Sequence, residues 1–172
     1  MECWQKDNDF ETGNPNKVDS IIDFAEQHCK AHGSRLTLKR KQILSDLIKS
    51  EKALSAYELI DIYKQELDEA IPAMSMYRIL QFLEDEHLVH KLNLANKYVA
   101  CAHISCDHAH SVPQFLICGD CNKVEEISIP KPTMAALQKN VEQAGFQLTS
   151  PQLEMNCVCN DCNEKDTLTP IQ

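Results

Sequence analysis

Two pairs of cysteines with the same short spacing stand out in this sequence. Cys118 and Cys121 form one Cys-x-x-Cys pair, and Cys159 and Cys162 form a second pair far downstream. Four thiolates are what a closed tetrahedral structural zinc site requires, and the glycine inside the first pair suits a tight turn around a metal ion. A redox pair or a disulfide is the alternative, but neither pair lies in a βαβ pattern. We therefore interpret the four cysteines as ligands of a structural zinc ion.

A second, mixed set of candidate ligands comes from the middle of the chain. His90, Cys101, His110 and Glu126 supply two imidazoles, one thiolate and one carboxylate. Together they make a plausible four-coordinate zinc set. Spacing alone supports this set weakly, because any one of these residues is more often an ordinary polar group than a ligand.

The first predicted helix carries a further pair of histidines. Apolar residues recur at helix spacing between residues 18 and 25, and His28 and His32 follow four residues apart. This is the spacing of a metal pair on a helix, but no carboxylate or third ligand accompanies them in the sequence. We interpret both histidines as exposed helix residues.

Three more helices and a hairpin are predicted in the following residues. One helix has Thr37 as its N-cap, the next opens on a capping-box pattern at residues 55–58, and the third spans residues 72–86. Two alternating segments, 88–92 and 97–101, then indicate a β-hairpin. Helices followed by a hairpin are the order of a winged helix-turn-helix, in which the last helix enters the DNA major groove.

The last of these helices is therefore the candidate reader of double-stranded operator DNA. Arg78 can donate a bidentate pair to guanine or hold a phosphate, and Tyr77 offers a ring face and a hydroxyl. Ser75 lies on the same helix. Arg40 and Lys39, at the start of an earlier helix, are candidates for phosphate contacts that position the protein.

Net charge alone argues against such a partner, because the chain carries -9 at pH 7. The charge is unevenly distributed, however. Between residues 35 and 49 there are five basic residues and one acid. A locally basic segment in an acidic chain indicates that the two halves of the chain have different roles, with the basic half as the candidate DNA-binding half.

The C-terminal half predicts a small α+β domain. Segments 115–118 and 124–129 are predicted strands around the first cysteine pair, 132–144 is a predicted helix ended by Gly145, and 146–155 is predicted to be extended. Such a domain buries little apolar area, so both zinc and dimerisation are expected to support it.

The expected domain organisation has five parts. They are a flexible tail (1–16), a winged-helix DNA-binding domain (17–101), a hinge (102–112), a dimerisation and zinc-binding domain (113–163) and a second flexible tail (164–172). The predicted fold class is α+β, with an N-terminal winged helix-turn-helix and a small α/β dimerisation domain that holds structural zinc.

Composition bounds the class of protein. With 43% hydrophobic and 25% charged residues, the 172-residue chain resembles ordinary folded domains. No apolar run approaches the length of a membrane span, and no signal-peptide segment follows the N-terminus. We expect a cytoplasmic protein with no membrane or small-molecule partner, whose nine cysteines are not disulfide-bonded.

Several motifs taken in order resemble those of the ferric uptake regulator family of metal-responsive repressors. They are Arg35-Leu-Thr37 with Arg40, Ser55-Ala-Tyr-Glu58, Met76-Tyr-Arg78, Val89-His-Lys91, Tyr98-Val-Ala-Cys101 and Leu116-Ile-Cys118-Gly-Asp-Cys121-Asn-Lys-Val-Glu-Glu126. The resemblance runs from about residue 18 to residue 162, and within the family the chain looks most like the members that regulate zinc uptake.

This resemblance implies a homodimer with N-terminal winged helices, structural zinc on the four paired cysteines and a regulatory metal at the hinge. The hinge ligands match His90, Cys101, His110 and Glu126. The spacing from His110 to the first paired cysteine is one residue longer than the family pattern, so His108 or His103 is an alternative ligand. Cys106 and Cys157 are additional thiols that could compete for metal.

These observations predict a zinc-loaded repressor that releases operator DNA when zinc is scarce. The Cys101 thiolate favours zinc over iron or manganese, because a soft ligand selects a softer cation. A family member that senses iron, manganese, nickel or peroxide is the alternative. No enzyme is expected: a zinc hydrolase needs an open metal position and a general base, and the chain has no His-Glu-x-x-His and no Gly-x-Ser-x-Gly.

Overall fold

The computed structural model describes residues 15–50, 52–104, 113–149 and 152–166, with only the backbone described for 15, 16, 165 and 166. It divides the chain into two compact units, Met1–His108 and Ala109–Gln172, called here the N-terminal unit and the C-terminal unit. Within the described residues, no helix is both long and apolar enough to cross a bilayer. The architecture is α+β, as predicted.

The N-terminal unit consists of four helices followed by a two-stranded antiparallel hairpin. Its elements are α1 (Pro15–Ala31), α2 (Leu38–Lys49), α3 (Ala56–Leu67), α4 (Ala73–Asp85), β1 (Val89–Leu92) and β2 (Lys97–Ala100). In the hairpin, Val89 pairs with Ala100 and Leu92 with Lys97. This order confirms the predicted winged helix-turn-helix.

Helix starts follow the local chemistry of the chain. Ser55 accepts a hydrogen bond from the Glu58 amide at 3.2 Å, and the Glu58 carboxylate accepts one from the Ser55 amide at 2.7 Å, which completes the predicted capping box of α3. Thr37 occupies the N-cap of α2 as predicted, but its side chain makes no cap hydrogen bond. The two caps therefore differ in strength although both were expected from the sequence.

One apolar face of helix α4 packs against the core and sets the orientation of the helix. Met76, Leu80 and Leu83, at helix spacing, are fully buried in a core shared with α1, α2, α3 and the hairpin. Burial of each such side chain contributes about 1.5–3 kcal/mol. The opposite face of α4 is thereby turned to solvent.

The C-terminal unit is a three-stranded sheet with two helices. Its elements are β3 (Gln114–Cys118), β4 (Val124–Ile127), α5 (Lys131–Gln143), β5 (Leu153–Cys157) and α6 (Asn160–Asp166). The strand order is β4-β3-β5, with β3 antiparallel to β4 and parallel to β5. The Gln114 side chain is buried and accepts a 2.9 Å hydrogen bond from the Leu153 amide, which helps to fix the register of β5.

Most observed boundaries lie within two residues of those expected, and three segments differ more clearly in how they were assigned. Helix α1 begins at Pro15, inside the predicted tail 1–16, because proline suits the first position of a helix, where no amide donor is needed. Helix α6 includes residues 164–166, which were assigned to the second tail; its first turn is built around Cys159 and Cys162. The extended segment predicted for 146–155 contains a strand only from Leu153 onward. Residues 1–14 and 167–172 lie outside the described residues.

Candidate metal centres

The four paired cysteines meet at one end of the C-terminal sheet. Their sulfur atoms all lie within 4.8 Å of one another. The Cys121 and Cys159 sulfurs are 3.7 Å apart. A disulfide needs about 2.05 Å, whereas two thiolates on a tetrahedral zinc ion with Zn–S bonds of about 2.3 Å are separated by about 3.8 Å. The spacing therefore fits a shared metal ion and excludes a bond between these two sulfurs.

Strand pairing brings the two cysteine pairs together. Cys118 ends β3 and lies opposite Cys157 in the parallel pairing with β5. Two residues beyond Cys157, the Cys159 amide donates a 3.4 Å hydrogen bond to the Cys118 sulfur, and Cys162 follows in the first turn of α6. The second pair thus reaches the first through the sheet.

The tight turn in the first pair does not use its glycine. Gly119 has no positive φ, and a Cβ atom there would meet nothing within 4 Å. Asn122 instead adopts φ 59°, a left-handed conformation that asparagine tolerates well. The glycine was expected to suit a tight turn, but the left-handed position falls one residue after Cys121.

The thiols of this cluster have very different proton affinities. Amide N–H groups of Cys121 and Cys159 point at the Cys118 sulfur and lower the pKa of Cys118 to about 6. Hydrogen bonding to the Cys159 and Cys121 sulfurs raises the pKa of Cys162 to about 12. Cys118 therefore loses its proton more readily than Cys162, and a bound cation would stabilise the thiolate form of both.

The predicted hinge ligands are divided between the two units. His90 lies on β1, and Cys101, just after β2, is buried; one ligand atom of each lies within 4.8 Å of the other. Glu126 is a half-buried residue of β4 in the C-terminal unit. His110 lies outside the described residues, so the set of four stays a prediction.

The alternative ligands and extra thiols have mixed positions. His103 is half-buried in the turn after β2, and its amide donates to the Cys101 sulfur at 3.4 Å. Cys157, on β5, is not part of the four-cysteine group. His108 and Cys106 lie outside the described residues.

The solvent face of α4 carries the residues predicted to read DNA. Ser75, Tyr77 and Arg78 are all exposed, while the neighbouring Met76 is fully buried. Tyr77 is 39% exposed, so part of its side chain is accessible to a partner. The predicted DNA contacts of these residues stay predictions.

The basic residues at the start of α2 form contacts with other residues of the N-terminal unit. Lys39 donates a 2.6 Å hydrogen bond to Glu69. Arg40 donates at 2.6 Å to the Arg35 carbonyl and stacks 3.4 Å from the centre of the Phe82 ring. The local excess of positive charge is therefore smaller than the sequence indicates, and Arg40 also joins α2 to α4.

Comparison with known proteins agrees with this geometry. A sequence model of the ferric uptake regulator family matches residues 31–156, which is most of the chain. The chain belongs to the ferric uptake regulator family. Its members are transcriptional regulators, and this chain is one of them.

Three relatives illustrate the range of the family. A zinc uptake regulation protein of Escherichia coli (strain K12) is 31% identical over 144 residues, which are 84% of this chain and 82% of that protein. A ferric uptake regulation protein of Helicobacter pylori (strain J99) is 27% identical over 87% of this chain and 95% of that protein. A solved zinc uptake regulator complexed with zinc and DNA superposes with a TM-score of 0.74 and 26% identity, covering 87% of this chain and 97% of that one.

One cluster in this family member was not anticipated. His28 and His32 come together with Glu86, and one ligand atom of each lies within 4.8 Å of the others. The carboxylate that the sequence lacked near the two histidines is supplied from the end of α4, more than fifty residues away. His32 is exposed as predicted, but His28 is half-buried. No spacing rule in the sequence could have found this group, because only helix packing brings Glu86 to α1.

Proposed function

We propose that this family member is a zinc-responsive transcriptional repressor that binds operator DNA as a homodimer when zinc-loaded. The observation that carries the zinc assignment is the buried Cys101 thiol beside His90 in the wing. A thiolate with an imidazole suits zinc better than iron or manganese, which favour carboxylate-rich sites. Support also comes from the similarity to the zinc uptake regulators.

The paired cysteines would hold a structural zinc ion. Cys118, Cys121, Cys159 and Cys162 offer four sulfurs at tetrahedral spacing, which leaves no position for a substrate or an activated water. Such a closed site supports folding and does not catalyse a reaction. It would tie α6 to β3 in a unit that has few buried apolar side chains.

The regulatory zinc would be held by His90, Cys101, His110 and Glu126, with His103 or His108 as the alternative to His110. Two of these ligands belong to the wing and Glu126 belongs to the C-terminal unit. Bound zinc would neutralise the Cys101 thiolate and the Glu126 carboxylate. Ligands drawn from both units would make the arrangement of the reading helices depend on zinc, which is how a ligand shifts a conformational equilibrium.

The reading of DNA would fall to the exposed face of α4. In the major groove, Arg78 can pair bidentately with a guanine, while Tyr77 and Ser75 can contact a thymine methyl group or a phosphate. Lys39 and Arg40 would contact phosphates. Lys39 would break its contact with Glu69 and bind a phosphate of the DNA backbone instead. A repressor of this kind would read two half-sites related by the twofold axis of its dimer.

Dimerisation is favoured by the surface of the C-terminal unit. None of the residues of α5, all of which are described, is buried. Met134, Leu137 and Val141 on this helix are only half-buried, and Phe146 is 73% exposed. A second copy of the chain would cover such apolar surface, which a small unit cannot cover by itself.

The alternative is a sensor of iron, manganese, nickel or peroxide. Its support is the similarity to the Helicobacter pylori ferric uptake regulation protein over almost the same span. The two proposals differ in the effect of metals on DNA binding. Zinc would activate specific binding at concentrations where Fe²⁺ does not, whereas equal activation by both metals would favour the alternative.

The deciding experiment measures zinc content and DNA binding together. Reduced protein is analysed for zinc before and after mild chelation, and its binding to a palindromic duplex is measured in the same samples. Loss of the labile zinc together with loss of specific DNA binding, while the cysteine-bound zinc remains, is the expected result. DNA binding that is indifferent to chelation would remove the zinc-sensing function.

A further inference from the structure

We infer that His28, His32 and Glu86 form a third metal site, a zinc site of the His-His-carboxylate type inside the N-terminal unit. It involves none of the ligands of the two sites above and does not depend on the proposed function. All three residues belong to the same unit. The ion would connect the end of α1 to the end of α4, the candidate reading helix.

The three side chains lie close enough together to bind one small cation. The His28 and His32 rings are 4.2 Å apart between centroids and nearly perpendicular, at 84°. The His32 Nδ1 atom lies 3.5 Å from the Glu86 Oε2 atom. Two ligands on a tetrahedral zinc ion, with bonds of about 2.0–2.1 Å, are separated by about 3.4 Å. The observed distance fits that value.

A purely hydrogen-bonded cluster explains the arrangement less well. A contact of 3.5 Å is longer than the 2.7–3.2 Å of a good N–H···O bond. The Nε2 atom of His28 is buried and has no hydrogen-bond partner within the described part of the chain. A buried imidazole nitrogen without a hydrogen-bond partner is unfavourable, because it has lost its contact with water and gained nothing in return. A metal ion bound by this nitrogen would supply the missing partner.

The solvent exposure of the three side chains indicates whether the site is closed or open to water. The Glu86 side chain is 14% exposed and the His32 side chain is 57% exposed, so one side of the cluster faces solvent. Water can therefore enter as a fourth ligand. Cys29, between the two histidines in sequence, is fully buried in the core and is not part of the cluster. Two imidazoles and a carboxylate without a thiolate distinguish this site chemically from the two proposed above.

The site lies where it can affect the reading helix directly. His28 is in the last turn of α1 and His32 follows the helix, while Glu86 is the C-cap of α4. The Glu86 amide donates to the Phe82 carbonyl at 3.0 Å, so the carboxylate is held by the last turn of α4. A bound ion would join the two helix ends and stabilise the N-terminal unit.

The test uses the full-length, reduced protein with His90→Ala and Cys101→Ala introduced together, so that the proposed regulatory site is removed. With the paired cysteines filled by zinc, this protein is titrated with further Zn²⁺ and, separately, with Co²⁺. His28→Gln, His32→Gln and Glu86→Gln are each compared in this background. His87→Asn is the matched control: it removes the histidine next to Glu86, and asparagine tolerates the φ of 58° found there.

The expected result is one further equivalent of Zn²⁺ bound in the background protein and in the His87→Asn control. Each of the three ligand variants should weaken this binding by at least about tenfold. Added Zn²⁺ should raise the melting temperature of the background protein but not that of Glu86→Gln. Co²⁺ at the site should give visible ligand-field absorption without the sulfur-to-metal charge-transfer band of a thiolate site.

Equal zinc uptake by all variants would overturn the inference, as would a charge-transfer band from sulfur or no uptake by the background protein. If His28→Gln fails to fold, His32→Gln decides the question, because that side chain is mostly exposed. DNA binding is not a readout here. A failure of zinc-dependent repression in the otherwise unaltered protein would therefore leave this result intact.

Discussion

Asp46 on α2 is a buried charged side chain with an unusual proton affinity. The residue is 4% exposed, and Gln42 donates a 3.0 Å hydrogen bond to its Oδ1 atom. Burial, reinforced by the nearby Glu66 carboxylate, raises the pKa of Asp46 to about 6. The folded protein therefore holds a proton on Asp46 at a pH where the unfolded chain has already lost it.

Asp46→Asn tests this assignment through the pH dependence of stability. Because the folded-state pKa is raised, the unfolding free energy of the unaltered protein should fall as pH rises from about 4 to about 6 and stay lower above that range. The variant cannot ionise at this position, so its stability relative to the parent should increase by on the order of 1–3 kcal/mol over this interval. Urea unfolding at several pH values measures the difference. Asp61→Asn, at an exposed site on α3, controls for the loss of one negative charge, and a difference that does not vary with pH would contradict the assignment.

The proposed division between ligand and non-ligand cysteines in the C-terminal unit can also be tested at the residue scale. Cys118→Ser should lose one equivalent of zinc, because serine does not replace a thiolate in a closed four-sulfur site. Cys157→Ser, opposite Cys118 on the neighbouring strand, should keep that zinc. Elemental analysis of purified protein measures both. Equal zinc content in the two variants would contradict the four-cysteine assignment.

At the scale of elements, two helix caps that look alike in sequence differ in the folded chain. Ser55→Ala removes a capping hydrogen bond and should lower the unfolding free energy by about 1 kcal/mol. Thr37→Ala, at the other N-cap, should cost less, because the Thr37 side chain makes no such bond. Urea unfolding of both variants measures the two costs. A larger loss for Thr37→Ala would contradict the geometry of the caps.

The exposed face of α4 can be tested for base reading as distinct from simple charge attraction. Arg78→Ala should weaken operator binding by about 1–3 kcal/mol if the guanidinium pairs with a guanine. Arg78→Lys keeps the charge but not the fork geometry, so it should recover little of that loss. Lys64→Ala, an exposed basic residue of α3, is the charge-matched control. Full recovery with lysine would make Arg78 a phosphate contact.

At the scale of the whole molecule, the two units have unequal cores. The main hydrophobic cluster lies entirely within the N-terminal unit, where it links all four helices and the hairpin. In the described part of the C-terminal unit, the buried side chains are Gln114, Phe115, Ile117 and Cys118, all on β3. We therefore expect the small unit to depend more on the proposed metal site and on a partner copy for its stability.

Strong chelation under reducing conditions should unfold the two units separately. The C-terminal unit should lose its structure when the cysteine-bound zinc is removed, while the N-terminal unit keeps a cooperative melting transition because its core contains none of the four ligands. Circular dichroism during thermal unfolding, before and after zinc is restored, measures this. A single transition that is unaffected by chelation would contradict the structural role of the metal.

Much of the fold followed from local patterns. Hydrophobic periodicity located the helices of the N-terminal unit, alternation located the hairpin, and the cysteine spacing identified the four cysteines that come together in space. These features depend on neighbours within a few residues, so the sequence records them directly. Helix boundaries such as Pro15 and the short α6 were less predictable, because their limits depend on competing local preferences.

The sequence by itself therefore determined the fold class, the family and the clustering of the four paired cysteines in this protein. Only the tertiary structure decided that Arg40 stacks on Phe82, that burial raises the pKa of Asp46, and that Glu86 lies beside His28 and His32. The physical reason is the same in each case. Burial, charge environment and ligand geometry depend on residues far apart in the chain, and they are fixed only when helix packing brings those residues into contact.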